Sequence, residues 1–373
     1  MNDIRERDVA GKKVLVRGDL NVPLDEYGQM QDDFRIKQII PTLQFLLKNN
    51  AKVILCSHFT DETTSLKTVI PRLKKFLNME VFFINDCIGE DVRREVEKLK
   101  TGQILLLENL RKYEGEKKNA PEFAESLAKY VDIYVNDAFG VCHRKHASVS
   151  SIVNFFKPEN VTAGNLLLDE VQTISYHLKN PKKPIVAIIG GAKIETKVRV
   201  IKRFMDMPDC DVLLGGKIAH AILRRKNEIN FGAMPEQKAF SYIDEIDINN
   251  SRIHLPTDNV VYFKKGVQEE VYDVGPETVK EFTGKIAAAR TIFFNGPIGY
   301  FEDERNIGTV EILKAIGKNR AAFSIVGGGE TNSVIYKNNL EDRISYISTG
   351  GGAFLTFITG DKLPGLEALG YYR

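Results

Sequence analysis

The sequence predicts an α/β protein made of two doubly wound domains, each with a parallel β-sheet, joined by a helix. Two observations support this prediction. Short β-branched segments alternate with longer amphipathic segments along nearly the whole chain, which is typical of repeated strand and helix units. The chain has 373 residues, of which 43% are hydrophobic and 27% charged, and this composition suits a globular protein with room for two cores.

The first half of the chain predicts the N-terminal domain, residues 1–162. Five segments have the length and composition of strands: KVLVRGDL, AKVILCSH, EVFFIND, QILLLENL and DIYVNDAF. Longer helix-like segments lie between them: RIKQIIPTLQFLLKN, SLKTVIPRLKKFLN and PEFAESLAKY. Strands that alternate with helices in this way indicate a parallel sheet.

A connecting helix is predicted over residues 163–180, because the segment AGNLLLDEVQTISYHLKN is helical in pattern and stops before Pro181 and Pro184. The C-terminal domain, residues 181–355, then repeats the strand and helix alternation. Its predicted elements are PIVAIIGGAK, TKVRVIKRFMDM, CDVLLGG, ARTIFFNG, GTVEILKAIGK, AAFSIVGGG and ISYISTGGG. We expect the last segment, residues 356–373, to return to the N-terminal domain.

Charge and cysteine content exclude several functional classes. The 52 Lys and Arg residues nearly balance the 50 Asp and Glu residues, which argues against a surface for nucleic acid or anionic membrane. The first residues are charged, and no segment approaches the roughly 18 apolar residues of a spanning helix, so we expect a cytoplasmic protein. The four cysteines form no CxxC pair and are expected to be reduced thiols.

Four predicted strands of the second domain end in glycine, at AIIGGAK, LLGGK, FFNGPIG and SIVGGGE. Glycine lets backbone N–H groups approach an anion closely, and a following helix N-terminus favours negative charge. One such pair alone is more often ordinary turn geometry. Four glycine-ended strands, accompanied by Lys193, Lys197 and Glu330, predict a site for a phosphate-bearing ligand. The chain contains neither a Walker loop nor GxGxxG.

The predicted strand ends of the first domain carry polar and cationic side chains instead. These are Asp19, Asn21, Ser57, His58, Arg111, His143 and Arg144, with Arg35 just before the next helix. Each arginine alone is most simply a solvated surface residue. Because the carboxyl ends of parallel strands share one edge of a sheet, the arginines together predict a site for a small, multiply charged anion.

Motifs from residue 16 to residue 355 resemble those of the phosphoglycerate kinase family, in the family's order. They are VRGDLNVPL, DDFRI, LLLENLRKYEGEKKNAPEFA, VNDAFGVCHRKHAS, VAIIGGAKIETK, FFNGPIGYFE, FSIVGGGET and ISTGGGAFL. The resemblance implies a monomer that transfers a phosphoryl group reversibly between 1,3-bisphosphoglycerate and ADP, giving 3-phosphoglycerate and ATP. It also implies Mg²⁺ bound with the nucleotide, and domain closure for transfer.

The resemblance assigns roles residue by residue. Phosphoglycerate binding falls to Asp19, Asn21, Arg35, His58, Arg111 and Arg144. Nucleotide binding falls to Gly191, Lys193, Lys197, Gly215, Asn295, Pro297, Glu302, Gly328, Gly329 and Thr331. The metal falls to Glu330, and the catalytic cations are Arg35, Lys197 and Lys193.

Several positions depart from the family's pattern. The chain reads HFTDE where members usually read HLGRP, so Asp61 stands in place of an arginine, and we expect Asp61 to face solvent. Glu330 replaces the aspartate of GGGD. Further departures are Gly18, Leu20, Glu195, Thr196 and Lys217. Two alternatives follow: a related carboxylate kinase with a different acid substrate, or a non-catalytic nucleotide-binding paralogue.

Overall fold

The computed structural model describes residues 1–226, 237–263, 270–302 and 307–372. The chain divides into two compact units, which we call unit 1 and unit 2. Unit 1 consists of Met1–Thr173 and Asp361–Arg373, and unit 2 consists of Ile174–Gly360. The division falls within a helix, Asn165–Lys179.

Unit 1 contains, in its described residues, a seven-stranded sheet in which every pairing is parallel. Its strands are β1 (Asn2–Asp3), β2 (Lys13–Gly18), β3 (Lys52–Cys56), β4 (Val81–Phe83), β5 (Ile104–Leu106), β6 (Ile133–Asp137) and β7 (Val161–Ala163). The α-helices up to the division are α1 (Phe34–Lys48), α2 (Ile70–Leu77), α3 (Glu90–Lys98), α4 (Glu114–Lys117), α5 (Pro121–Ala128) and α6 (Asn165–Lys179). The strand order is β1-β7-β6-β2-β3-β5-β4.

Unit 2 has a six-stranded parallel sheet and a separate antiparallel hairpin among its described residues. Its strands are β8 (Ile185–Ile189), β9 (Cys210–Leu214), β10 (Ile253–His254), β11 (Asn259–Phe263), β12 (Glu270–Val274), β13 (Thr291–Asn295), β14 (Phe323–Gly327) and β15 (Tyr346–Ser348). Its helices are α7 (Ile194–Met205), α8 (Gly216–Arg225), α9 (Gln237–Ile243), α10 (Pro276–Ala288), α11 (Gly308–Lys318), α12 (Gly329–Lys337) and α13 (Gly352–Ile358). The sheet order is β10-β9-β8-β13-β14-β15, and β11 pairs with β12.

Helices cover both faces of each sheet, as the burial of consecutive residues shows. In β2, Val14, Leu15 and Val16 are all fully buried, although successive side chains point to opposite faces. All five residues of β8 are buried in the same way. All four cysteines are buried free thiols, as predicted. Among the described helices, none is long and apolar enough to cross a membrane.

The α/β class and the parallel sheets are confirmed, but several details were not foreseen. The strand pattern missed β1, β7 and β10, which have only two or three residues, and also β11 and β12, although NVVYF and EVYDV are rich in β-branched and aromatic residues. Arg35 was expected to precede its helix, whereas it is the second residue of α1. The return of the last segment to the N-terminal domain, by contrast, was predicted; its helix α14 (Pro364–Ala368) lies in unit 1, where the Gly365 N–H donates to the Cys142 carbonyl at 2.9 Å.

Candidate active site

In unit 1 the candidate site lies at the carboxyl ends of the central strands. The chain proceeds from β2 to β3 on one side of the sheet and from β6 to β7 on the other, so the strand order reverses between β2 and β6. Ligands of open α/β sheets bind at this kind of reversal. Side chains that follow β2, β3, β5 and β6 are therefore brought together.

His58 follows β3 and is buried, with Nδ1 3.2 Å from Nη2 of Arg17. Because a guanidinium can only donate, Nδ1 accepts, and the ring carries its proton on Nε2. Burial lowers the pKa of His58 well below its usual value, and the charges of Arg17 and Arg111 lower it further. His58 is thus a neutral imidazole, and its Nε2–H is a suitable donor to an anion.

Arg17, which sequence reasoning missed, supports this site from beneath. Its side chain is fully buried; Nε donates to Ser148 Oγ at 2.9 Å, and Nη1 donates to the Gly18 carbonyl at 2.5 Å. Ser148 in turn donates from N and Oγ to the buried Glu116 carboxylate, at 2.8 and 2.6 Å. The one sequence signal was a charged residue within an otherwise apolar strand.

Arg35, Asp19 and Asn21 lie together at the end of β2. Arg35 donates a hydrogen bond to the Asn21 carbonyl, and its Nε lies 3.7 Å from Oδ2 of Asp19. Asp19 Oδ1 also accepts from the Asn21 N–H at 3.2 Å. The amide of Asn21 holds Thr60, whose N–H donates to Asn21 Oδ1 at 2.9 Å. Asp19 and Asn21 therefore orient Arg35 as well as lining the site.

Arg111 and Arg144 place two positive charges at the same edge, beside His146. Burial lowers the pKa of Arg111, and repulsion from Arg144 and Arg17 lowers it further. Burial and the same arginines lower the pKa of His146 to about 4. In the part of the chain that the structure describes, no carboxylate lies within 4 Å of the guanidinium of Arg111 or Arg144. An anionic ligand would relieve this repulsion.

The loop that carries Asp61 turns its carboxylate away from this cluster. Asp61 is exposed, as the sequence predicted, and Oδ1 accepts from the Thr63 N–H at 2.9 Å and from Thr63 Oγ1 at 2.9 Å. Thr64 Oγ1 donates to Oδ2 at 3.0 Å. The backbone hydrogen bond from Thr63 lowers the pKa of Asp61. Inside the loop, Asn109 Nδ2 donates to the Asp61 and Thr64 carbonyls at 3.0 and 2.9 Å.

In unit 2 the glycines after β8, β9 and β13 pack backbone against backbone. The Gly191 N–H donates to the Pro297 carbonyl at 2.8 Å, and the Gly216 N–H donates to the Ile298 carbonyl at 2.7 Å. Gly191 has a φ of +87°, and a Cβ at Gly190 would overlap the Pro297 carbonyl. Close approach, rather than turn chemistry alone, therefore requires the first glycine of this pair.

Lys197 lies beside these glycine turns on the inner face of α7. It is 5% exposed and donates a hydrogen bond from Nζ to Asn295 Oδ1. A Cβ on Gly191 would lie 3.8 Å from the Lys197 ammonium nitrogen, which places this cation against the turn. Burial lowers the pKa of Lys197 to about 8, while the charge of Glu330 opposes the shift.

The turn after β14 completes the arrangement. Asn295 Nδ2 donates to the Gly327 carbonyl at 2.6 Å, and Thr331 Oγ1 accepts from the Gly296 N–H at 3.0 Å. Gly328 has a φ of +120°, and a Cβ there would lie 3.1 Å from Asn295 Nδ2. The helix α12 begins at the next residue, so these groups surround a helix N-terminus.

Known proteins resemble this chain over nearly its whole length. A family model described as phosphoglycerate kinase matches residues 2–361. The chain is 38% identical to cytosolic phosphoglycerate kinase 3 of Arabidopsis thaliana (98% of this chain, 97% of the relative) and 39% identical to phosphoglycerate kinase of Dictyoglomus turgidum (98% of each). The crystal structure of phosphoglycerate kinase from Pyrococcus horikoshii is similar, with a TM-score of 0.88 at 31% identity, covering 99% of this chain and 98% of that one.

The chain belongs to the phosphoglycerate kinase family. The protein is therefore a kinase of glycolysis that transfers a phosphoryl group reversibly between 1,3-bisphosphoglycerate and ADP, giving 3-phosphoglycerate and ATP. The comparisons do not favour a kinase of another acid or a non-catalytic paralogue.

Three charged residues of unit 2 that the resemblance to this family assigns lie at the surface. Lys193 immediately precedes α7 and is exposed, although its charge affects the pKa of Lys197. Glu330 is exposed in the first turn of α12, after Gly329. Glu302 is exposed in a turn, and no hydrogen bond between described residues joins it to the glycine turns. Its nucleoside role rests on the resemblance.

Proposed function

We infer that unit 1 holds the phosphoglycerate through the cluster of Arg35, Arg111, Arg144 and His58, with Asp19 and Asn21 orienting Arg35. The observation that carries this proposal is that Arg111, Arg144 and Arg17 repel one another while, among the described residues, no carboxylate lies within 4 Å of the guanidinium of Arg111 or Arg144; burial lowers the pKa of Arg111, and this repulsion lowers it further. Guanidinium groups pair bidentately with carboxylate and phosphate, and 3-phosphoglycerate carries both. Neutral His58 adds an N–H donor without adding charge.

Unit 2 holds the nucleotide in this proposal. Its phosphates lie over the turns of Gly191, Gly215, Gly328 and Gly329, where glycine leaves room for close approach and the start of α12 favours anions. The resemblance to the family adds Lys193, Lys197, Asn295, Pro297, Glu302 and Thr331 to the proposed nucleotide site. Thr331 and Asn295 fix the positions of two turns through the hydrogen bonds already described.

Phosphoryl transfer requires positioning and charge neutralisation more than covalent catalysis. We assign Lys197 and Arg35 to the charge that develops on the transferring group, and Lys193 to an accessory cation. Lys197 suits this role because it is buried, fixed by Asn295 and costly to keep charged without an anion. In this proposal no side chain acts as a nucleophile.

The residues present fit Mg²⁺ that arrives with the nucleotide. Among the described residues no group of three or more His, Cys, Asp or Glu side chains could hold a metal ion. Mg²⁺ commonly binds through one or two carboxylates together with substrate phosphates. Glu330, exposed at the start of α12, would be that carboxylate, and the ion would supply neutralisation of phosphate charge.

The proposal also includes a monomer that acts on small molecules in the cytoplasm. Each unit supplies its ligand-binding residues from the ends of its own strands, so ligand binding does not call for a second copy. Light scattering of the purified protein, with and without both substrates, measures the oligomeric state and would reveal a dimer.

A coupled assay with 3-phosphoglycerate and ATP tests the substrates. We expect turnover that depends on both substrates and on Mg²⁺, and that stops when a chelator removes the metal. Similar rates with several other acids would show that the cationic cluster does not select phosphoglycerate. Nucleotide binding without any turnover would show a protein that has lost catalysis.

A further inference from the structure

Asp273, on the β11–β12 hairpin, holds the start of helix α11. Its carboxylate is 3% exposed; Oδ2 accepts from the Gly308 N–H at 2.6 Å, and Oδ1 accepts from the Val274 N–H at 2.9 Å. Burial raises the pKa of Asp273, and backbone donors including the Ile307 N–H oppose that shift. The hairpin is not part of the parallel sheet, yet the buried Asp273 carboxylate caps α11, the helix that connects β13 to β14 of that sheet.

Two glycines meet the same carboxylate from different parts of the chain. A Cβ at Gly299 would overlap Asp273 Oδ1, and a Cβ at Gly308 would lie 2.5 Å from it. Neither glycine has a positive φ, so close approach rather than backbone conformation excludes a side chain at these positions. Asp273 therefore fixes both the turn that follows β13 and the first residue of α11.

That turn is bonded directly to the glycine turns of the nucleotide site. The Ile298 N–H donates to Thr309 Oγ1, in the first turn of α11, at 3.1 Å. The Ile298 carbonyl accepts from Gly216, and the Pro297 carbonyl accepts from Gly191. A series of contacts thus connects Asp273, through residues 297–299, to Gly191 and Gly216, which lie in two of the turns of the proposed nucleotide site.

We propose that Asp273 is a positioning residue for the nucleotide: through Gly299, Gly308 and Thr309 it fixes the 297–299 turn, and through that turn it fixes Gly191 and Gly216. This proposal rests on the proposed nucleotide site of unit 2. Asp273 itself contacts neither substrate in this account.

Asp258 provides a matched control, because it caps a neighbouring helix in the same way. Its carboxylate accepts from the Glu277 N–H at 3.0 Å and from the Thr278 N–H at 2.8 Å, at the start of α10. A Cβ at Gly275 would overlap it, as at Gly299. In the described part of the chain, the hydrogen bonds of Asp258 involve only Gly275, Glu277 and Thr278.

Calorimetric titration with ADP, and separately with 3-phosphoglycerate, tests the proposal on Asp273→Asn, Asp258→Asn and the unmodified protein. In Asp273→Asn, the backbone N–H groups that now meet two carboxylate oxygens would meet one amide oxygen and one NH₂ group, which cannot accept. We expect Asp273→Asn to raise the Kd for ADP about tenfold, as partial loss of a charge-assisted hydrogen bond would, with 3-phosphoglycerate binding unchanged. Asp258→Asn should lower Tm without changing either Kd.

Thr309 keeps the test decisive if Asp273→Asn does not fold. Thr309→Val removes the acceptor of the Ile298 N–H and should weaken ADP binding, whereas Thr309→Ser retains the hydroxyl and should restore it. Unchanged ADP affinity in the folded Asp273 and Thr309 variants, or an equal loss in Asp258→Asn, overturns the positioning role. Absence of ADP binding in the unmodified protein would instead overturn the proposed nucleotide site.

Discussion

In the proposed function, unit 1 presents charged side chains to its ligand, whereas unit 2 presents glycine turns, the start of α12 and the buried Lys197 ammonium group. The arginines of unit 1 are held from beneath by buried hydrogen bonds, such as Arg17 to Ser148 and Ser148 to Glu116. The turns of unit 2 are held by close backbone packing, in which the Gly191 N–H meets the Pro297 carbonyl. The two proposed phosphate-binding sites thus depend on different interactions: buried hydrogen bonds to charged side chains in unit 1, and close backbone packing in unit 2.

The difference determines which kind of substitution disrupts each site. In unit 1 a substitution changes charge, and an unpaired buried charge costs about 3–5 kcal/mol when its partner is removed. In unit 2 the addition of a single methyl group would disrupt the turns, because a Cβ at Gly190 or Gly215 would overlap the backbone or side chain of residues 297–298. Substitutions that change charge should therefore distinguish the two sites more clearly than measurements of overall stability do.

The largest effect is expected at Lys197, the one buried cation among the glycine turns in the described residues. Lys197→Ala should lower kcat by roughly 10²-fold or more, as loss of a single preorganised electrostatic donor does, with a smaller effect on nucleotide Kd. Steady-state kinetics and a nucleotide titration measure the two quantities. Lys202→Ala is the control, since Lys202 lies on the same helix but forms an exposed ion pair with Glu245.

An unchanged kcat with a raised KM would contradict the assigned role of Lys197. It would show that the ammonium group binds ground state and transition state equally. A loss of similar size in Lys202→Ala would attribute the effect to helix α7 as a whole rather than to the buried charge.

Acid should destabilise unit 1 through its neutral histidines. The pKa of His146 is about 4 when folded, below its usual value near 6.5, so the unfolded chain binds more protons between these values. This contribution to stability is present above about pH 6.5 and is lost as pH falls toward 4. We expect a loss on the order of 2 kcal/mol, after a reduction of nearly half for solvent screening.

Denaturant unfolding at pH 7, 5.5 and 4.5 measures this loss, and His146→Gln provides the comparison. The variant cannot gain the proton, so its stability should fall less with acid than that of the unmodified protein. Parallel curves for the two proteins would assign the acid sensitivity to other groups.

Much of this architecture follows from local pattern, and the site follows from it in part. The alternation from KVLVRGDL to ISYISTGGG predicted both sheets, because strand and helix periodicities are properties of a few neighbouring residues. The glycine-ended strands predicted the turns of unit 2 for the same reason. Asp19, His58 and Arg111 could be placed at one edge because parallel strands align their carboxyl ends.

Partners distant in sequence could not be predicted in this way. The buried Arg17 meets Ser148, 131 positions away, and the Gly308 N–H meets Asp273, 35 positions away. The apolar neighbours of Arg17 in β2 indicate that it is buried, but no local pattern identifies its partner or that of Asp273, because the partners depend on where other segments fold. The low pKa of Lys197 likewise depends on packing around α7, which no spacing of residues encodes.

A smaller effect is expected at Glu330, which tests whether unit 2 needs a carboxylate beside its backbone donors. Glu330→Gln should lower activity about tenfold and raise the Mg²⁺ concentration required, because hard cations prefer charged oxygen ligands. Glu330→Asp should preserve or raise activity. Glu311→Gln is the control, as Glu311 pairs with Lys314 on α11. Equal Mg²⁺ dependence in all four proteins would remove Glu330 from the metal site.

The smallest effect is expected at Asp61, where the sequence departs from the cationic pattern of unit 1. A carboxylate within about 4 Å of a phosphate would cost roughly 4 kcal/mol at an effective dielectric near 20. The structure avoids this cost, because the Asp61 carboxylate is exposed and bonded to Thr63 and Thr64. Asp61→Arg should therefore tighten 3-phosphoglycerate binding only about two- to threefold, as expected of a screened surface charge.

Glu62→Arg makes the same change in net charge one residue away, at a side chain that pairs with exposed Lys117 and takes no part in the Asp61 turn. Titration of both variants with 3-phosphoglycerate, at low and high salt, separates a general field from a local contact. Similar small gains that vanish with salt support an outward Asp61. A gain of several orders of magnitude in Asp61→Arg alone would mean that Asp61 blocks the anion site, and 3-phosphoglycerate binding by this cluster would then have to be reconsidered.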